Sequence, residues 1–170
     1  MSLIVRDATL EDAADILAIY NYAALNTTAV WTDGPADLGS RREWMSARQQ
    51  AGYPVLVAMK GRDVLGFASF GDFRPWPGYR HTVESSVYVD ERHHRAGIGR
   101  SLVAALIERA TALNKHAMIA GIEAANAASI GLHASLGFAE VGRMPEVGCK
   151  FGRWLDLVLM QRPLANEVAP

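Results

Sequence analysis

Between Thr82 and Ala112 the spacing of apolar side chains switches from every second residue to the three-and-four spacing of a helix, and this switch constrains the fold more than any other feature. Val83, Val87 and Val89 fall on one side of a strand, and Glu84, Ser86 and Tyr88 on the other, provided no bulge intervenes. After the polar stretch DERHHRA, the residues Ile98, Leu102, Val103, Leu106 and Ile107 share one broad side of a helix, opposite Arg100, Ser101, Glu108 and Thr111. Arg109 falls on the apolar side without an evident reason. A strand that feeds a helix through Gly97-Ile98-Gly99 belongs to a layered domain of helices on a sheet.

The flanking chain continues the pattern. Leu3 to Arg6 reads as a first strand, and Thr9 caps a helix that runs toward Leu25, with Asp12 placed to reach back to the cap. Asn26 to Leu38 is a polar connection, and Ser40 to Gln50 a second helix stopped at Gly52. Pro54 to Lys60 and Val64 to Phe70 are strands joined by the turn Gly61-Arg62-Asp63. Two prolines and a glycine keep FRPWPGYR, Phe73 to Arg80, out of regular structure. Ala117 to Ile122 is a strand, Asn126 to Leu136 a helix ended by Gly137, and Phe138 to Val147 and Trp154 to Gln161 are the last strands. One α/β (α+β) domain over residues 1–164 follows, with a loose tail over 165–170.

Composition excludes several classes of function. Half of the 170 residues are apolar, enough for a sizeable core, and a formal charge of -1 provides no field for nucleic acid or anionic lipid. Cys149 is the single cysteine, which rules out an internal disulfide or a cysteine-based metal cluster and suits a reducing compartment; it reads as a buried or incidental thiol. Met1 to Asp7 lacks a basic start followed by an apolar core, so no secretory signal is expected, and Glu123, Asn126 and His133 interrupt the longest weakly polar stretch. The expectation is a cytoplasmic domain that binds no membrane, nucleic acid or metal.

Two glycines before a helix invite an anion, because free backbone N–H groups and the helix dipole meet there. A nucleotide-binding P-loop requires a Lys after its last Gly, and Gly99 is followed by Arg100. A dinucleotide fingerprint requires Gly or Ala where this chain has Leu102. Two readings remain from the residues themselves: a pyrophosphate loop, or a helix start with glycines for close packing.

The loop resembles the pyrophosphate loop of the Gcn5-related N-acetyltransferases, [QR]-x-x-G-x-[GA], with Gly97 and Gly99 in place and His94 at the Gln/Arg position. NAASIGLHASLGF, Asn126 to Phe138, is similar to a second motif of that family, and the order of elements resembles it over nearly the whole chain. The resemblance implies a mixed central sheet whose splayed strand pair holds acetyl-CoA as co-substrate, with a homodimer as the family's common assembly. It places Val87, Tyr88, Val89, Arg95, Ala96, Gly97, Ile98, Gly99, Arg100 and Asn126 against the cofactor. Asn126 would touch the pantetheine arm, and it can also cap a helix. His133 would lie near the sulfur, where it is either a packed helix histidine or a general acid.

Direct transfer to an amine needs a base, a site for the developing oxyanion and a leaving thiolate. Glu84 is the candidate base, with Ser85 or Ser86 nearby to hold a water or the substrate; it also reads as an ordinary exposed strand carboxylate. Backbone N–H groups of Val87 to Val89 would take the oxyanion, where the family splays this strand with a bulge. FRPWPGYR followed by HTVESSVYV is similar to the phosphinothricin and methionine sulfoximine acetyltransferases. That branch acetylates the α-amine of glutamate-like amino acids. The similarity implies an acceptor pocket lined by Arg74, Pro75, Trp76, Glu84, Ser85 and Ser86, with Trp31 a further wall. Arg74 suits a substrate carboxylate, which it can bind with two parallel hydrogen bonds. The alternatives are an acetyltransferase for a protein N-terminus or an aminoglycoside, or a noncatalytic acyl-CoA sensor.

Overall fold

The computed structural model describes residues 2–165. Seven strands form one sheet: β1 (Leu3–Asp7), β2 (Val55–Lys60), β3 (Asp63–Asp72), β4 (Thr82–Val89), β5 (Ala117–Glu123), β6 (Ala139–Lys150) and β7 (Arg153–Pro163), in the spatial order β1-β2-β3-β4-β5-β7-β6. All neighbours are antiparallel except β4 and β5. That parallel pair needs a crossover, supplied by α3 (Ile98–Ala112).

The sheet is buried on both faces. On one, α3 sets Leu102, Val103 and Leu106 against Leu56, Ala58, Ala68 and Val83. On the other, α1 (Ala13–Asn26) and α2 (Leu38–Gln50) set Ile16, Ile19 and Met45 against Val55, Val57 and Phe67. The continuous apolar run of β2 therefore serves two cores, even positions facing α3 and odd positions facing α1 and α2.

Local chemistry explains most boundaries. Thr9 begins a single 3-10 turn over Leu10–Asp12, and α1 starts only at Ala13; the Thr9 N–H donates to Asp12 Oδ2 at 2.7 Å, as the spacing implied. The Arg6 guanidinium grips the same carboxylate with two bonds of 2.8 Å and holds it below the usual carboxylate range. Asp37 caps α2 through the Ser40 N–H at 2.8 Å, worth about 1 kcal/mol. Arg109, unexplained in sequence, ties α3 to β1 through Asp7 at 2.6 Å. Leu164 is buried, and its N–H donates to His116 O. Residues 166–170 of the proposed tail lie outside the described residues.

Two elements differ from the sequence reading. β6 and β7 run longer than expected because they meet in a tight turn at Phe151 and Gly152, both with positive φ (51° and 69°). The register of β6 slips between Met144 and Gly148, around Glu146 at φ 53°. Within FRPWPGYR the segment Pro77–Tyr79 makes one 3-10 turn.

Candidate active site

Strand β4 pairs with β3 without interruption from Val83 opposite Asp72 to Val89 opposite Gly66. With β5 it pairs only from Thr82 opposite Ala117 to Ser85 opposite Ala120. Beyond that point Gly121, Ile122 and Glu123 stay on β7, while Ser86 to Val89 stay on β3. Each strand follows its outer neighbour, and the pair opens. The expected bulge is absent on the β3 side: the register there does not shift, so the alternation of side chains read from sequence holds along β4.

The gap holds a small pocket of about 80 Å³ bordered by Ser85, Ser86, Tyr88, Gly121, Glu123 and His133. Val87, Tyr88, Glu123, Asn126 and Ser129 also line a cleft of about 840 Å³ that runs to the start of α3. A cleft of this size suits a long ligand. Its walls are apolar at Ile98, Leu132 and Leu155 and cationic at Arg95, Arg100 and Arg153. Arg95 (φ 63°) and Gly97 (φ 78°) hold left-handed backbone at the mouth of α3. Glycine is suited to this conformation. His94 braces the turn, with Nε2 at 3.1 Å from Val89 O. Arg100 donates to Ser135 Oγ at 2.7 Å and so ties α3 to the end of α4 (Ala127–Ser135). Of the residues expected against the cofactor, Val87 to Val89, Arg95, Gly97 to Arg100 and Asn126 line the cleft. Ala96 is exposed beside it and is not among the lining residues.

A bound acyl-CoA fits these residues on physical grounds. It would need a helix N-terminus and cations for its phosphates, an apolar wall for its arm, and a narrow end for its thioester. Asn126 caps α4, its Oδ1 accepting from the Ser129 N–H at 3.1 Å, and the residue also borders the cleft. His133 is 3% exposed. Its Nδ1 lies 2.8 Å from Ser129 O, its ring meets Phe138 edge-on, and burial holds its pKa below the ordinary histidine value. The histidine is packed, and it also borders the small pocket.

Glu84 lies opposite Gly71 on β3 and Ile119 on β5. A Cβ on Gly121 would sit 3.2 Å from Glu84 Oε1, so Gly121 leaves room for the carboxylate at the fork of the strands. Burial raises the Glu84 pKa, and the charges of Arg74 and Arg48 oppose that shift. Arg48, absent from the sequence reading, packs its guanidinium where a Gly71 side chain would be. Arg74 stands on an exposed loop, its guanidinium 4.2 Å from the centre of the Phe73 ring and bonded to Phe73 O. Pro75 and Trp76 are exposed on the same loop and border neither cavity. Trp31 donates Nε1 to Thr28 O at 2.8 Å and packs on Gly148. Cys149, read as buried or incidental, is exposed on the edge strand β6.

Glu123 was also missed. It borders both cavities, accepting from the Ala125 N–H at 3.1 Å and lying 3.3 Å from Thr28 Oγ1. A carboxylate closing an otherwise apolar strand was the available signal.

A sheet opened beside a glycine-rich helix start leaves in its fork a cleft that suits a long ligand with an anionic end. Residues 16–138 match the acetyltransferase (GNAT) family, and the chain belongs to that family. It is 56% identical over 162 residues to an L-methionine sulfoximine/L-methionine sulfone acetyltransferase of Pseudomonas paraeruginosa, covering 95% of this chain and 94% of the relative. It is 40% identical to a phosphinothricin N-acetyltransferase of Alcaligenes faecalis, covering 95% of this chain and 81% of that one. A Salmonella typhimurium protein solved with its cofactor acetyl-CoA superposes with a TM-score of 0.97 at 50% identity, covering 100% of this chain and 98% of that chain.

Proposed function

We propose that this chain transfers the acetyl group of acetyl-CoA directly to the α-amine of small glutamate- or methionine-like amino acids, such as methionine sulfoximine, methionine sulfone or phosphinothricin. The observation that carries the reading is a half-buried carboxylate, Glu84, next to Ser85, which is the last β4 residue paired with β5 and borders the small pocket that shares its walls with the long cleft. The names of the relatives above support the amine class.

In this reading the thioester supplies an activated carbonyl and a thiol that leaves readily, with a pKa of roughly 8.5. The start of α3, with Arg95 and Arg100, holds the phosphates, and Asn126 the pantetheine arm. Backbone N–H groups on the open side of Val87 to Val89 stabilise negative charge on the carbonyl oxygen. Glu84 removes the proton of the amine, directly or through a water held by Ser85 or Ser86. Its raised pKa makes it a stronger base than a solvent-exposed carboxylate. Arg74 binds the substrate carboxylate, and Pro75, Trp76 and Trp31 wall the acceptor side. His133 contributes at most weakly as an acid, because burial favours its neutral form.

The exposed Met144, Val147, Phe151 and Trp154 on β6, β7 and their connecting turn are the surface offered for a homodimer, which sedimentation would test. A cytoplasmic location accords with the reading; among the described residues no helix is long and apolar enough to cross a membrane.

The test is thiol release from acetyl-CoA across methionine sulfoximine, methionine sulfone, phosphinothricin, the common amino acids, an aminoglycoside and an N-terminal peptide. Saturable release with the first three supports the reading. Release with only the aminoglycoside or peptide overturns the substrate, and tight acetyl-CoA binding without release from any amine points to a sensor.

A further inference from the structure

The segment 27–31 leaves the end of α1 and reaches the fork of the sheet, where Thr28 and Ala29 border the cleft and Ala29 also borders the small pocket. It has no strand partner. Most of its own bonds are local: the Thr27 N–H and hydroxyl both reach Ala23 O, the Ala29 N–H reaches Thr27 Oγ1, and the Trp31 indole reaches Thr28 O, while the Thr28 hydroxyl donates to Glu123 Oε2 on β5 at 3.3 Å. Bonds of this kind shape a turn and touch the sheet at one point, without fixing the segment as a whole.

The fixing comes from the far end of β6. Lys150 is 5% exposed, and its ammonium sits 2.6 Å from Ala24 O, 2.6 Å from Thr27 O and 2.5 Å from Val30 O. An ammonium has three donors, and here each meets a carbonyl. A buried cation is costly without such partners. Its complementary charge is the end of α1, where unpaired helix carbonyls carry partial negative charge. Two residues earlier, Gly148 leaves the space that the Trp31 ring fills. Lys150 and Gly148 together make a socket on β6 for a segment that lines the pocket on β4 and β5.

We propose that Lys150 is a positioning residue for the transfer reaction: it holds the 27–31 segment as a wall of the pocket where the acceptor amine meets the thioester. The proposal rests on the acetyl-transfer reading above for its kinetic consequence, but not for the tether itself. A pocket wall that loosens weakens its contacts with the bound amine in ground state and transition state alike, which raises KM and spares kcat.

Two variants move the segment in different ways. Lys150→Met keeps length and removes the donors; Gly148→Ala drives a Cβ into the Trp31 ring and leaves Lys150 in place. In both, amide hydrogen exchange at residues 27–31 should rise about tenfold or more, and KM for the acceptor amine should rise about tenfold, with kcat changed less than about twofold. Acetyl-CoA affinity, measured by calorimetry, should move less than about threefold, because the start of α3 is untouched. A merely structural lysine would lower Tm and the active fraction while leaving KM and the exchange of this segment unchanged, and that result overturns the proposal. If Lys150→Met fails to fold, Gly148→Ala decides by the same measurements. If the unmodified protein acetylates none of the proposed amino acids, the substrate reading fails by itself; exchange at 27–31 then decides, a rise supporting the tether and no change overturning it.

Discussion

Strand β4 has two neighbours and treats them differently. Along β3 it keeps register from Val83 to Val89, and along β5 it releases after Ser85. The paired side leaves no slack: a Cβ on Gly66 would lie 2.8 Å from Tyr88 O, with Leu102 and Ile98 tips at 3.1 and 3.2 Å. The open side leaves the backbone of Ser86 to Val89 beside a pocket and a cleft, with Glu84 still opposite Ile119 just before the strands part. The site thus arises where pairing is withheld, on a strand kept rigid by its other edge. Such an arrangement lets N–H groups stay oriented for a reacting carbonyl without reorganising.

Three changes test that contrast, and a fourth sharpens it. The largest effect is expected just before the strands part, where Glu84→Gln should lower kcat by about 10²- to 10⁴-fold in a thiol-release assay. Calorimetry should find acetyl-CoA affinity within about twofold of the unmodified protein; a parallel loss of affinity would instead make Glu84 part of the cleft wall. On the paired side, Gly66→Ala forces a backbone shift against Tyr88 and should cost about 1–3 kcal/mol, read as a Tm several degrees lower. An unchanged Tm would show that β3 and β4 are less tightly apposed than their register implies. At the far end of the cleft, Gly97→Ala places a Cβ on backbone at φ 78°, at about 1–2 kcal/mol of strain. Acetyl-CoA binding should weaken by about five- to tenfold at nearly constant kcat, and an unchanged affinity would move the phosphates away from this loop.

The two sides of β4 also differ in how far they could be read in advance. The paired side follows from period: Val83, Val87 and Val89 do face α3, and the switch to helical spacing does begin at Ile98. The placement of Gly97 and Gly99 at a helix start was legible for the same reason. The fork was not, because pairing that stops leaves no mark in a strand's own alternation; the resemblance supplied it, and supplied a bulge that the β3 register lacks. Phe151 in a left-handed turn hid the β6–β7 hairpin, since no Asn-Gly or Asp-Gly announces it. The charges buried by packing were invisible too. Arg41 is satisfied largely by the faces of Tyr20 and Trp44, and Lys150 by carbonyls from a segment more than a hundred residues away in the chain. Neither kind of partner has a spacing to detect.

Arg48 gives the smallest effect and the finest test of Glu84 beside the fork. Burial raises the Glu84 pKa, while Arg74 and Arg48 pull it down. A base acts when unprotonated, so the acid limb of kcat/KM should report Glu84 and lie above the ordinary carboxylate range. Removing a cation that lowers this pKa raises it further, so both Arg48→Met and Arg74→Met should move the limb to higher pH. Arg74 is also the proposed carboxylate ligand, so its loss should raise acceptor KM as well. Arg48 packs beneath the carboxylate on Gly71, and its loss should move the limb with KM nearly constant. The same shift has a sign in stability. A carboxyl whose folded pKa is raised stabilises the fold when protonated and loses that contribution as pH climbs from its unfolded to its folded value. Glu84→Gln should therefore melt slightly above the unmodified protein at neutral pH and lose the difference below the ordinary carboxylate range. A limb that stays in place in both arginine variants would assign it to another group, whatever Glu84→Gln does to the rate.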